Sequence, residues 1–297
     1  MNEQIKQQIK EALQMYCNRY KNPLKPQEKG INKAANSLRN VSSATISQIL
    51  NGNWDLIANE MWRRVAAQIG FANEGWVFVE TSVSNTLYHL LADAQATEQG
   101  ESEVHAIVGH AGCGKTATAQ KYAAENKNAY HLVCSEYWNR KTFLLELMEA
   151  MGLDSSGYTV NEMVRYIVKE LKSQQCPLII MDEADKLSDQ VLYFFITMYN
   201  QLEDYCGLVL LATDFLEKRI KRGVQNKRKG YNEIYSRIGR RFIVLQGNTY
   251  DDQAAICQAN GLNDSRSIEK IIDNSECDLR RVKKLTKANI KKTKKVA

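Results

Sequence analysis

Apolar positions along this chain change their spacing twice, and the changes divide it into three stretches. Ile5, Ile9, Leu13 and Tyr16 recur every three or four residues, the spacing of one helical face, over residues 3–20. Pro23 and Pro26 then break the pattern. Across residues 30–70 the apolar positions fall into short helical groups separated by turn formers. Ile31, Ala34, Ala35 and Leu38 mark one helix, and Asn40, Val41 and Ser42 a turn. Residues 43–50 form a second helix with Ile46, Ile49 and Leu50 inward; Asn51, Gly52 and Asn53 stop it, and a third runs over residues 55–69. After Gly75 come the short apolar stretch Val77, Phe78, Val79 and a helix over residues 84–95.

From Val104 the spacing changes again. Continuous apolar runs of strand length at residues 104–108, 130–134, 178–181, 208–212 and 242–245 alternate with amphipathic helices. One of those helices opens with the capping box Thr159-x-x-Glu162. Uninterrupted apolar strands alternating with helices predict a parallel sheet covered on both faces, an α/β fold. The remainder of the chain returns to helices only.

Composition fits that picture. A chain of 297 residues, 44% hydrophobic and 25% charged, holds one full α/β domain and one or two small attachments. The net charge of +6 is modest, but its distribution is uneven. Residues 218–229 carry Lys218, Arg219, Lys221, Arg222, Lys227, Arg228 and Lys229, and no acid follows Asp278 in the lysine-rich end. Such clustering points to a polyanionic partner, with two solvated surfaces as the competing reading. The seven cysteines include no Cys-x-x-Cys pair, which favours reduced thiols and a cytoplasmic setting over a disulfide framework. The four histidines are not spaced as zinc ligands. No apolar run is long enough to span a membrane, and the polar start does not read as a signal peptide.

The strongest chemical signal is Gly109-His110-Ala111-Gly112-Cys113-Gly114-Lys115-Thr116, followed by Ala117. It fits G-x-x-x-x-G-K-[ST] directly after an apolar strand and before a helix, the setting of a loop that binds the phosphates of ATP. The glycines let backbone N–H groups turn inward around an anion, and the helix that follows points its positive end at the same place. Lys115 reaches the β- and γ-phosphates, and the Thr116 hydroxyl joins the shell of a Mg²⁺ ion. A second apolar strand ends in Asp182-Glu183. Its position at the carboxyl edge of a parallel sheet makes Asp182 a Mg²⁺ partner through water and Glu183 the group that polarises the attacking water.

With both motifs and the strand at residues 208–212 in view, residues 76–292 resemble the AAA+ branch of P-loop ATPases. That resemblance implies further roles. Thr213 takes the sensor-1 position, where the family more often has Asn. Arg237, with Arg240 as second choice, stands where an arginine finger completes a neighbouring subunit's ATP site. Cys277-Asp278-Leu279-Arg280 matches the sensor-2 segment, with Cys277 where Gly is usual and Arg280 directed to the γ-phosphate.

Residues 30–70 read as a helix-turn-helix module. Ala34 and Ala35 permit a close helix crossing, and Ser43, Thr45 and Gln48 lie at the start of a recognition helix that meets phosphates and base edges. A purely protein-binding helical bundle is the competing reading. The order predicted is therefore a helix-turn-helix DNA-binding domain over residues 1–75, a P-loop AAA+ parallel-sheet core over 76–248, and a small C-terminal helical lid with a basic tail over 249–297. This order resembles the transposition ATPases of the Mu B type. The resemblance implies ATP-dependent, largely sequence-nonspecific binding of double-stranded DNA, self-assembly into helical filaments, and delivery of target DNA to a transposase. Lys218, Arg222, Lys227, Arg228 and Lys229 are the expected phosphate contacts. A helicase loader or replication initiator, and an ATP-gated helix-turn-helix transcription regulator, are the alternatives. A metabolic kinase gains nothing from the N-terminal module.

Overall fold

The computed structural model describes residues 3–18, 20, 30–71, 76–96 and 103–296. The predicted break at Pro23 and Pro26 lies outside them, as do the Lys294 and Lys295 side chains. Five strands form one sheet: β1 (Val104–Val108), β2 (Ala129–Val133), β3 (Leu178–Asp182), β4 (Gly207–Ala212) and β5 (Ile243–Val244). Their order is β2-β3-β4-β1-β5, and every pairing is parallel. Each residue of β3 and β4 is buried, as strands covered on both faces require.

Alternate residues of these strands feed two cores, one on each face. Ile107, Ile180, Val209 and Leu211 meet α5 (Ser82–Gln95) and α6 (Lys115–Glu125) through Leu87, Leu91, Ala119 and Tyr122. Ala106, Val108, Ile179, Met181, Leu208 and Leu210 face the larger core. That core is built with α7 (Arg140–Ala150), α8 (Val160–Lys172), α9 (Asp189–Leu202), α10 (Asp214–Gln225) and α11 (Tyr231–Arg237). The capping box at Thr159 forms as expected, with Thr159 Oγ1 accepting from the Glu162 amide.

Two helical groups have cores of their own. Preceding the sheet, α1 (Glu3–Asn18), α2 (Ile31–Asn36), α3 (Ser43–Asn51) and α4 (Asn59–Gln68) enclose Ile9, Leu13, Ala34, Ile46, Ile49 and Trp62. Following it, α12 (Tyr250–Ala259), α13 (Ser265–Ser275) and α14 (Leu279–Val296) enclose Ile256, Cys257, Ile268, Ile271 and Val282. Trp76 and Val79 pack against this last core, and Asn260 brackets Val77 through main-chain bonds of 2.7 and 3.2 Å. The stretch entering the sheet domain is thus held by the helices that leave it.

Three details differ from the sequence expectation, each for a local reason. The helix expected from residue 55 starts at Asn59, after a single 3-10 turn at Trp54–Leu56. Trp54 causes the offset: its Nε1 donates to the Ile49 carbonyl at 3.0 Å and its ring meets Trp62 edge-on. Strand β2 is shifted one residue towards the N-terminus, although the Cys134 amide still reaches the Asp182 carbonyl at 2.8 Å. The fifth strand keeps only Ile243 and Val244, which pair with Ile107 and Val108.

Candidate nucleotide site

Parallel register sets the carboxyl ends of β1, β4 and β3 side by side. Val108 lies opposite Ala212, and the next amide, Gly109, donates to the Ala212 carbonyl at 3.2 Å. The loop that follows turns back through two left-handed residues, Gly112 at φ 75° and Gly114 at φ 104°. L side chains resist that conformation, so these positions need glycine. Gly114 then caps α6, whose first residue, Lys115, is 9% exposed. The Lys115 ammonium crosses the loop mouth and donates to the carbonyls of Gly109 at 2.7 Å and His110 at 2.8 Å. Cys113 turns the other way and joins the core beneath.

Asp182 closes the opposite side and is 1% exposed. Its Oδ1 accepts from the Glu183 amide at 2.9 Å, its Oδ2 lies 3.3 Å from His131 Nε2, and Thr116 lines one cavity with it. Burial acts to raise its pKa. The polar groups of His131 and Thr116, the His131 charge and the Glu183 amide outweigh burial and hold the carboxyl below its ordinary value. The neighbouring Cys134 thiol is pushed the other way, first by burial and then by the charges of Asp182, Glu183 and Asp185. Glu183 stands in a left-handed backbone at φ 55°, and its carboxylate pairs with the Lys186 ammonium. Thr213, after β4, donates its hydroxyl to Asp185 Oδ2 at 2.9 Å.

A cavity of about 970 Å³ joins these groups. Lys115, Thr116, Asp182, Glu183, Thr213 and Arg280 supply its polar lining, together with Ala111, Gly112, Gly114 and Ala117 of the loop. Trp76, Val77, Phe78, Ile256 and Leu279 add apolar lining. Gly109, His110 and Cys113 do not line it.

The C-terminal helices reach the loop directly. The Leu279 amide donates to the Gly112 carbonyl at 2.9 Å, and Asn248 Nδ2 donates to the Cys113 carbonyl at 3.0 Å. Asp278 rests its carboxylate against Gly112, where a methyl group would collide with it. Glu276 and Cys277 are left-handed, at φ 53° and 60°. This gives a physical reason for the glycine usual at the Cys277 position of the sensor-2 segment.

The remaining expected residues lie outside the cavity. Arg237, the last residue of α11, donates Nε and Nη2 to Asn200 Oδ1 at 3.2 and 3.0 Å and lies over the Tyr199 ring. Arg240 is exposed in a left-handed turn at φ 55°. Ser43, Thr45 and Gln48 sit half-buried on α3, and Ser42 caps that helix by accepting from the Thr45 amide at 3.1 Å.

The basic run is mostly the helix α10. Lys218 pairs with Asp214, Lys221 with Glu217, and both Arg219 and Arg228 with Asp189. Arg222, Lys227 and Lys229 are exposed, with no ion-pair partner among the described residues. Among the described residues no metal-binding cluster of His, Cys, Asp and Glu occurs, and no helix is long and apolar enough to cross a membrane.

Sequence reasoning missed His131, Asp185, Asn248 and Asp278. Asp185 carried a signal, as an acid three residues after Asp182 and next to the turn. His131 and Asn248 carried none, because only the pairing of β2 with β3 and the return of the chain after β5 bring them to the site.

A parallel sheet with a glycine loop after β1 and a buried acid after β3 defines a P-loop nucleotide-binding core, and a family model described as an AAA domain matches residues 99–220. The resemblance to ATPases of the Mu B type holds as well. The chain is 24% identical over 240 residues to the ATP-dependent target DNA activator B of Escherichia phage D108, covering 78% of this chain and 74% of that protein. To the protein of the same name from Escherichia phage Mu it is 24% identical over 236 residues, covering 77% and 72%. Among solved structures it is similar to Cdc6p from Pyrobaculum aerophilum, with a TM-score of 0.51 and 17% identity over 70% of this chain and 62% of that one. This last likeness is one of fold alone.

Proposed function

We propose that this chain is a Mg²⁺-dependent ATPase that binds double-stranded DNA, assembles on it, and delivers target DNA to a transposase. The observation that carries the reading is one cavity lined by the glycine loop, the buried Asp182 and apolar side chains that include Trp76 and Phe78. A nucleoside triphosphate has both chemistries. Its base takes the apolar side chains of Trp76, Phe78 and Leu279, and its phosphates take the loop amides and Lys115. Arg280 faces the same cavity and meets the terminal phosphate.

The donor set also fits Mg²⁺, since a depressed carboxylate and a hydroxyl lining the same cavity are hard oxygen ligands. Bound with ATP, the ion supplies neutralisation of developing charge on the phosphoryl oxygens. Asp182 and Thr116 hold it; Glu183 orients and polarises the attacking water after its carboxylate leaves Lys186; Thr213 steadies the turn through Asp185. Arg237, with Arg240 as the alternative, lies outside its own cavity and serves the site of the next subunit. The relatives' name, ATP-dependent target DNA activator B, supports DNA as the partner. Arg222, Lys227 and Lys229 take phosphates, and the helices of residues 1–75 add a second DNA contact from the start of α3. The division at residues 75 and 248, and a cytoplasmic location, belong to the same reading.

Electron microscopy on nonspecific duplex DNA tests the assembly. Continuous filaments with ATP, and none with ADP or without nucleotide, are expected; isolated dimers indifferent to nucleotide would move the assignment to a transcription regulator. Glu183→Gln is expected to stop hydrolysis and leave long-lived filaments. Normal turnover in that variant would remove Glu183 from the mechanism.

A further inference from the structure

Glu183 occupies a backbone region that non-glycine residues keep only where their surroundings fix it. The surroundings here are one helix. At the start of α10 Thr213 donates its hydroxyl to Asp185 Oδ2 at 2.9 Å. Further along the same helix Arg219 donates Nη1 to the main-chain carbonyls of Leu187, at 2.7 Å, and Asp185, at 3.3 Å. The turn that carries Glu183 is therefore gripped at a side chain and at two carbonyls.

Arg219 has further donors, and these lead to α11. Its Nη2 pairs with the Asp189 carboxylate, and its Nε reaches the Tyr231 hydroxyl at 3.3 Å. Tyr231 in turn donates to Asp189 Oδ1 at 2.8 Å. It is fully buried, fills the space left by Gly223, and opens the helix that ends at Arg237. Nε, Nη1 and Nη2 of Arg219 are all engaged inside the molecule, and its side chain is 18% exposed. In the middle of a basic run, this residue faces inward.

We propose that Arg219 and Asp189 are positioning residues for ATP hydrolysis, holding the turn that presents Glu183 in register with the helix that carries Arg237. The proposal rests on the reading that this site hydrolyses ATP through Glu183. Neither residue touches the substrate; both act through Asp185, Thr213 and Tyr231. A planar guanidinium serves two carbonyls, a carboxylate and a hydroxyl at fixed angles, and an ammonium does not.

The test compares Arg219→Lys, Asp189→Asn and Tyr231→Phe with the full-length wild type. Turnover, KM for ATP, affinity for fluorescent ADP and the thermal midpoint are measured for each. Arg219→Lys is expected to lower kcat about tenfold or more while ADP affinity moves by less than about threefold. Should that variant fold poorly, Asp189→Asn and Tyr231→Phe carry the test with the same split between kcat and binding. Thr213→Val combined with each gives a double-mutant cycle, and two grips on one turn should lose less together than the product of their separate losses. Folded variants with kcat within about twofold of wild type, losses that multiply, or ADP affinity falling as far as kcat would overturn the proposal. Glu183→Gln measured beside them separates the two readings. If it hydrolyses ATP normally, the ATPase assignment through Glu183 falls; if it is inactive while the other variants are normal, only the positioning role falls.

Discussion

In the loop between β1 and α6 the functional atoms belong to the backbone, whereas in α10 and the turn after it they belong to long side chains. That difference decides how each region spends its charge. The loop's amides are oriented by two left-handed glycines and the start of a helix, and their directions follow from the main chain. The cations of residues 218–229 are free to turn, and nearby acids claim several. Lys218 and Lys221 are met by acids one helical turn earlier, and Arg219 and Arg228 by the two oxygens of Asp189. A segment with seven cations thus presents Arg222, Lys227 and Lys229 as its unpaired exposed charges. Charge density along a chain says little about the field outside it until the partners are known.

Lys115→Ala tests the loop side of this contrast and carries the largest expected effect. Lys115 is the first residue of α6, directly after the loop, and with it go charge-assisted bonds to two phosphates, each worth about 1.5–3 kcal/mol. ATP affinity is expected to fall by about a hundredfold or more, read by calorimetry, while the thermal midpoint without nucleotide changes little. Retained affinity would show that the backbone amides suffice alone and would sharpen the contrast further.

On the side-chain half, the expected effects are smaller and split by partner. Replacing Arg222, Lys227 and Lys229 together by Ala should lower the slope of log affinity against log salt by about one per residue removed. Replacing Lys218 and Lys221 should lower it by clearly less per residue, because Asp214 and Glu217 already answer those charges. Filter binding to a nonspecific duplex across a salt series reads both. An equal fall per residue removed in the two variants would mean that DNA displaces the acids, and the division between paired and unpaired cations would fail.

The same contrast explains what could be read before the fold was known. The sheet was legible because β3 is apolar up to Asp182 and β4 is apolar throughout, a pattern that a strand covered on both faces favours. The phosphate loop and Asp182-Glu183 were legible because their chemistry needs residues at fixed short spacings. The link from Arg219 to Asp189 and Tyr231 was not, since it joins α10, α9 and α11 across spacings of 30, 42 and 12 residues. Nor was the seat of Asp278 on Gly112, which depends on the C-terminal helices returning to the first loop. Long side chains at large separation leave no periodic trace.

Gly112→Ala set against Gly157→Ala brings the finest test of the backbone half, and Gly157→Ala the smallest expected effect. Gly112 and Gly157 are both left-handed, at φ 75° and 79°. A methyl group at Gly157 meets nothing within 4 Å, whereas at Gly112 it meets the Asp278 carboxylate. Gly157→Ala should therefore lose only the conformational preference, about 1–2 kcal/mol, seen as a modest fall in thermal midpoint. Gly112→Ala should lose the same amount and also push Asp278 aside, loosening the Leu279 amide from the Gly112 carbonyl. Its signature is a larger fall in midpoint together with weaker ATP binding, which Asp278→Ala in the same chain should partly restore by clearing the space. Equal losses at the two glycines, with ATP binding unchanged, would mean that the C-terminal helices yield without cost, and that the loop's shape is set by its own backbone alone.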